Sequence, residues 1–210
     1  MIQDIRRSYE RLAPIYDRRW RRYNERTLNA VLAALALSGH ERLLDIGCGT
    51  GEFERLALRR CPTVTAVGVD LVSSMIDVAR MKLHGAANVT FQVGQIESLP
   101  FRPGAFDAVV CANMLHHVQD PRQALQECVR VLRPRGQLVL VDWCRDFWCS
   151  GLLHAWSRVA DRSYVRMYGA RELSTLVEHL GARVARIERF WAPPVYGMML
   201  LKALNVGGPT

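Results

Sequence analysis

Three glycines at alternate positions in Asp45-Ile-Gly-Cys-Gly-Thr-Gly51 follow a short leucine run and precede a helical pattern opening near Glu52. Glycine lets a chain turn tightly and lets its backbone approach a ligand with no Cβ in the way. The segment therefore reads as a strand that turns directly into a helix around a bound molecule. The spacing is GxGxG, not the GxGxxG of dinucleotide turns, and no Gly-Lys-Ser/Thr follows as a phosphate loop requires. Asp45 narrows the ligand further, because a carboxylate beside the turn repels phosphate and attracts an ammonium group. A ligand with an amino-acid end fits best.

Short apolar runs then alternate with amphipathic helical stretches. Strands are expected over 42–46, 63–69, 88–93, 105–112 and 136–142, with helices over 52–60, 73–83, 121–132 and 170–180. This rhythm predicts an α/β, Rossmann-like fold, with a mostly parallel seven-stranded sheet covered by helices on both faces. Two closing strands, 183–191 and 196–203, are joined by Ala192-Pro193-Pro194 and should form an antiparallel hairpin at one edge. The 210 residues are expected to make one domain, 1–210. Residues 1–38 read as an N-terminal helical lid broken near Pro14, and the aromatic, poorly periodic 143–168 as a substrate-side insertion.

Asp70, at the end of the second strand, can accept hydrogen bonds from both hydroxyls of a ribose. The third strand ends in Gly94-Gln-Ile-Glu-Ser-Leu-Pro-Phe101 and the fourth in Cys111-Ala-Asn-Met-Leu-His-His117, so four strand ends converge on one crevice. Taken in order, the glycine turn, Ser98-Leu-Pro-Phe101, Phe106-Asp-Ala-Val-Val110, His116-His-Val118 and Val131-Leu-Arg-Pro134 resemble the class I S-adenosylmethionine-dependent methyltransferases. The likeness is to the branch with ubiquinone/menaquinone-biosynthesis and phospholipid N-methyltransferases, and it covers roughly residues 2–203.

The resemblance implies S-adenosyl-L-methionine as cofactor and S-adenosyl-L-homocysteine as product. It implies that Asp45 and the turn residues Gly47, Cys48, Gly49 and Gly51 hold the methionine end, with Asn113 near it and Tyr16 covering the site. Asp70 would hold the ribose, Leu71 and Met75 would flank the adenine, and Gln95 and Ile96 would lie at its edge. The family more often has aspartate where Gln95 stands; an amide oxygen still accepts from the adenine amine, without the charge. The family's usual Pro-Gly-Gly is here Pro134-Arg-Gly136, away from the cofactor end of the sheet, so a structural effect alone is expected.

Methyl transfer from a sulfonium is an in-line displacement in which alignment and exclusion of water can supply most of the catalysis. His117 and His116 are the candidates for a general base, with an ordinary pKa near neutrality; packing or helix capping is the competing reading. A small or lipid-like acceptor is expected among Tyr16, Trp20, Trp143, Phe147, Trp148, Trp156, Tyr164, Tyr168 and Trp191. Arg158, Arg162 and Arg166 recur at four-residue spacing and, if helical, would present one basic face to an anionic group.

A net charge of +8 raises nucleic acid as a partner, but the arginines are scattered and no lysine-rich tract occurs, so none is expected. Arg18, Arg19, Arg21, Arg22 and Arg26 beside Trp20 and Tyr23 have the composition of a helix at an anionic membrane surface. A cofactor-covering lid with a solvated outer face accounts for them equally well. The six cysteines form no CxxC pair, Cys144 and Cys149 read as ordinary thiols, and no metal site is expected. With no apolar leader or spanning run, the expected place is the cytoplasm, with membrane association through the arginine helix as an addition. Two further readings are a peripheral membrane protein that keeps the fold without the activity, and a cofactor-binding partner of another enzyme.

Overall fold

A computed structural model describes residues 2–161 and 163–207. At its centre is β1 (Arg42–Ile46), buried at every position after Arg42, as a strand covered on both faces must be. It lies between β2 (Thr65–Asp70) and β4 (Phe106–Ala112) in a seven-stranded sheet of order β3-β2-β1-β4-β5-β7-β6, where β3 is Val89–Val93 and β5 is Leu132–Trp143. The first five strands run parallel. β6 (Ala182–Ala192) and β7 (Tyr196–Asn205) pair antiparallel, and β7 joins β5 in the same sense, so the expected edge hairpin is present. The chain steps outward from β1 to β3 and then returns to β1's other side at β4. That reversal opens a crevice beyond the carboxyl ends of β1 and β4.

Alternate strand residues feed two core layers. Leu44, Val109 and Leu140 pack under α5 (Pro121–Val131) and α7 (Ala170–His179). Leu43, Val110 and Val139 face α2 (Tyr16–Ala34) and α3 (Glu52–Arg60). α4 (Ser73–Lys82) flanks β2 and β3. The start of α5 is set locally: Pro121 occupies its first turn and the Asp120 side chain accepts the Gln123 N–H at 3.0 Å.

Pro14 sits in a short 3₁₀ turn, Ala13–Ile15, separating α1 (Ile2–Leu12) from α2. β5 starts earlier than the pattern indicates, at Leu132, and its pairing with β4 shifts register between Leu132 and Gln137. There Arg135 adopts φ 64°, the left-handed conformation that the glycine of the family's usual Pro-Gly-Gly takes without strain. The 143–168 segment contains a regular helix, α6 (Ser150–Ala160), which the mixed aromatic pattern concealed. Among the described residues no helix is long and apolar enough to cross a membrane.

Candidate active site

Backbone geometry shapes the glycine turn. Gly47, Gly49 and Gly51 have φ of 73°, 53° and 75°. The N–H groups of Gly47 and Cys48 both donate to the Val69 carbonyl, at 2.8 and 3.1 Å, tying the turn to the end of β2. A Cβ on Gly47 would stand 2.7 Å from the Met114 side chain. Asp70 completes the fixation, one carboxylate oxygen accepting the Gly49 N–H at 2.8 Å and the other the Val72 N–H at 2.9 Å. The same side chain borders the crevice, so it can both hold the turn and meet a ligand.

Asp45 is 3% exposed and its Oδ1 has no hydrogen-bond partner. Glu54, fully buried on the first turn of α3, has none for either carboxylate oxygen. Burial, with Glu54 and Asp70 nearby, raises the Asp45 carboxyl far above its ordinary range. Burial likewise pushes Glu54 up to about 8. Leaving such a group unpaired costs on the order of 1–3 kcal/mol or more, and a cation is the natural complement. The orphaned Asp45 oxygen therefore fits the ammonium of a methionine moiety.

The crevice holds about 1000 Å³ including its open mouth. Gly47, Gly49, Asp70, Leu71, Met75, Gln95, Ile96, Asn113 and Tyr16 all border it. Asp45 and Cys48 border a smaller recess of about 340 Å³ that shares Tyr16, Gly47, Gly49 and Asn113 with it. Gly51 borders neither. It caps α3, and a Cβ there would meet the Phe91 ring at 2.9 Å, so its smallness serves packing. Asn113, at φ 57°, is held from behind: its Oδ1 accepts from the Tyr23 hydroxyl at 2.9 Å and its amide donates to Thr27 Oγ1 at 3.0 Å. The Trp143 indole N–H in turn donates to the Tyr23 oxygen at 2.9 Å.

The two histidine rings lie against each other, centroids 4.1 Å apart, but meet different partners. His117 borders the crevice, whereas His116 lies behind it, stacked on Trp143 at 4.2 Å and hydrogen-bonded through Nδ1 to Asp142 at 2.7 Å. His117 Nδ1 faces the Ser163 carbonyl at 2.9 Å and so carries the proton, leaving the Nε2 lone pair to accept from the Tyr9 hydroxyl at 2.8 Å. Burial, then the neighbouring His116, pushes His117 down to about 3, so the ring is neutral near physiological pH.

Of the described residues expected to seat an acceptor, only Tyr16 borders the crevice. Trp20 packs on Tyr23 and Tyr196, and Trp143 is buried behind Asn113. Tyr168 is in the core beneath the sheet, with an unpartnered hydroxyl, because strand and loop geometry turns it away from the ligand edge. Trp148 is 88% exposed and Arg158 lies on the outer surface of α6. Arg162 lies outside the described residues. The proposed arginine face does not form, since α6 ends at Ala160 and Arg166 instead stacks on Tyr168 and pairs with Glu172. On α2, Tyr23 is buried and Trp20 half-buried, and the exposed side carries Arg18, Arg19, Arg21, Arg22 and Arg26 together with Glu25 and Asn29.

Ile2, Ile5 and Tyr9 border the crevice and were missed. Their spacing of three and four residues on α1 was the available signal, but nothing local indicated what that helix face would cover.

A model of the methyltransferase domain family matches residues 44–140. An O-methyltransferase, resE, of Aspergillus sclerotiorum is 32% identical over 191 residues, 88% of this chain and 71% of its own length. The demethylmenaquinone methyltransferase of Deinococcus radiodurans is 36% identical over 153 residues, covering 67% of this chain and 61% of that protein. A ubiquinone biosynthesis O-methyltransferase of Xanthomonas campestris is 40% identical over 115 residues, covering 54% and 47%. The chain thus spans about half to two thirds of the length of most of these relatives.

Among solved structures, the Haloferax volcanii putative methyltransferase, solved in complex with the Trm112 activator, superposes with a TM-score of 0.85 at 19% identity, covering 98% of this chain and 99% of that one. The [4+2]-cyclase SpnF superposes with a TM-score of 0.82 at 19% identity, covering 99% and 98%. These likenesses show the fold.

Proposed function

Because the chain belongs to the class I S-adenosylmethionine-dependent methyltransferases, we propose that it transfers the cofactor's methyl group to a small or lipid-like acceptor bearing a hydroxyl or similar nucleophile. One observation carries this reading: a single crevice joins the glycine turn and Asp70 to the His117–Tyr9 pair, under the apolar Ile2 and Ile5. The quinone-biosynthesis names of several relatives support an acceptor of that class.

Bound here, S-adenosylmethionine supplies a sulfonium methyl group open to in-line displacement. Asp45 would take the ammonium, Asp70 the ribose hydroxyls, Leu71 and Met75 the adenine faces, and Gln95 and Ile96 the adenine edge. Asn113, locked by Tyr23 and Thr27, keeps the floor of the site rigid, which suits a reaction that depends on alignment. α1 and Tyr16 exclude water over the cleft. His117 accepts a hydrogen bond at Nε2 while neutral. An acceptor hydroxyl that displaces Tyr9 becomes oxonium-like as its oxygen–methyl bond forms and the sulfonium carbon–sulfur bond breaks, and is then acidic enough to pass its proton to Nε2 even though burial holds His117 down to about 3.

The test is incubation with labelled cofactor and a panel of quinone precursors, small phenols, thiols and phospholipids. Transfer to one of these is expected, with His117→Ala lowering kcat about 100-fold or more while cofactor affinity holds. Transfer to RNA alone would overturn the acceptor class. No transfer at all, with cofactor still bound, would favour a retained fold serving another role.

A further inference from the structure

We propose that the outer edge formed by α6 and the β6–β7 turn is a membrane-docking surface that inserts apolar side chains into an anionic lipid leaflet, with the α2 arginines as its electrostatic flank. The inference goes beyond the proposed methyl transfer and does not depend on it.

α6 is amphipathic in an unusual sense. Its inner face is seated: Ser150 and Ser157 are buried, Leu153 packs against the core, and His154 bonds Tyr164 at 2.6 Å. Its outer face carries Leu152, Trp156 and Val159 at helical spacing, 77%, 61% and 86% exposed, and Trp148 just before it is 88% exposed. Single exposed apolar residues are ordinary, but four of them on one side of one element form a patch that water covers at a cost.

The patch continues. Phe147 packs against Trp191 at 4.5 Å, and Trp191 and Val195 at the hairpin end are also exposed. Arg26 Nε donates to the Trp191 carbonyl at 3.4 Å, and Arg19 stands over Trp20, which contacts Tyr196 at the start of β7. Trp143 ends β5 opposite Met198, so this rim lies on the same edge of the sheet as the crevice.

Charge selects the occupant. α6 contains Arg158 and no acidic side chain, and α2, joined to the hairpin through Arg26 and Trp191, exposes Arg18, Arg19, Arg21, Arg22 and Arg26 against the exposed acid Glu25. A second copy docking through the same surface would set these arginines against each other, whereas anionic headgroups neutralise them while tryptophan and leucine enter the interface. α2 alone cannot do this, since its apolar side faces the core.

Flotation with vesicles of phosphatidylcholine, alone or mixed with phosphatidylglycerol, tests the proposal. The full chain should float with the anionic vesicles and about tenfold less with neutral ones, with a blue shift of tryptophan emission. Leu152→Ser/Trp156→Ser/Val159→Ser should lower binding to anionic vesicles at least about tenfold with an unchanged circular-dichroism spectrum. Absence of flotation overturns the proposal. So does flotation indifferent to the triple substitution, which would leave charge alone. Lipid-free self-association abolished by the same substitutions would assign the face to a second copy. Should the triple variant misfold, quenching of the unaltered protein's emission by acyl-brominated lipid decides: quenching supports insertion, its absence refutes it.

Discussion

Replacing Glu54 by glutamine should remove a pH-dependent loss of stability built into the fold around the glycine turn. In the unfolded chain this carboxyl releases its proton near 4.5, whereas in the folded protein burial without a partner holds the proton until about 8. Between those values the folded state binds more protons than the unfolded one, so stability falls as pH rises and levels off above about 8. At about 1.36 kcal/mol per decade, the interval from 4.5 to about 8 sets a penalty on the order of 3–5 kcal/mol for a fully buried group. That is a large share of a typical domain's stability of about 5–15 kcal/mol.

Glutamine keeps the shape and cannot ionise, though its buried amide imposes a pH-independent cost of about 1–3 kcal/mol. Urea unfolding of both proteins across this range is the assay, read as the difference between them. Relative to its value near pH 4.5, that difference should shift in the variant's favour by a few kcal/mol by about pH 8. Parallel pH profiles would refute the reasoning, because they would mean that Glu54 ionises in the folded protein as easily as in water.

Asp45→Asn should weaken binding of S-adenosylhomocysteine about 100-fold, the effect of removing roughly 3 kcal/mol of buried charge pairing; calorimetric affinities within about threefold would remove Asp45 from the site. Asp70→Ala deprives the Gly49 and Val72 N–H groups of their acceptors as well as the ligand of its carboxylate. It should therefore lower both the melting temperature of the ligand-free protein, by about 1–3 kcal/mol equivalent, and cofactor affinity, where a purely ligand-facing residue would change only the second. Gly197→Ala places a Cβ 2.4 Å from the Phe147 ring and should destabilise by about 1–3 kcal/mol in denaturant unfolding. Adding Phe147→Ala should return part of that loss, and additive effects would show the two residues to be independent.

The turn was readable residue by residue because its information is local. Positive φ at Gly47, Gly49 and Gly51, a carboxylate before the turn and another at the next strand end all follow from the order of a few residues. So does the strand rhythm, since a strand buried on both faces announces itself as an unbroken apolar run. The acceptor side was not readable in this way. Trp20, Trp143, Trp148 and Tyr168 are indistinguishable from pocket residues by composition, yet packing sends two of them into the interior, leaves one partly buried against other rings, and sends one into solvent. His116 and His117 are adjacent in sequence and their rings touch, but one pairs with buried Asp142 while the other forms part of the crevice wall. Tyr9 meets His117 across 108 residues, a contact that no local pattern encodes.

The amino-acid order alone thus determined the glycine turn and the strand ends around it, because backbone conformation and strand periodicity are short-range properties. Which side chains close the other end, and that α6 turns its tryptophan outward, were decided only when distant elements competed for the same core.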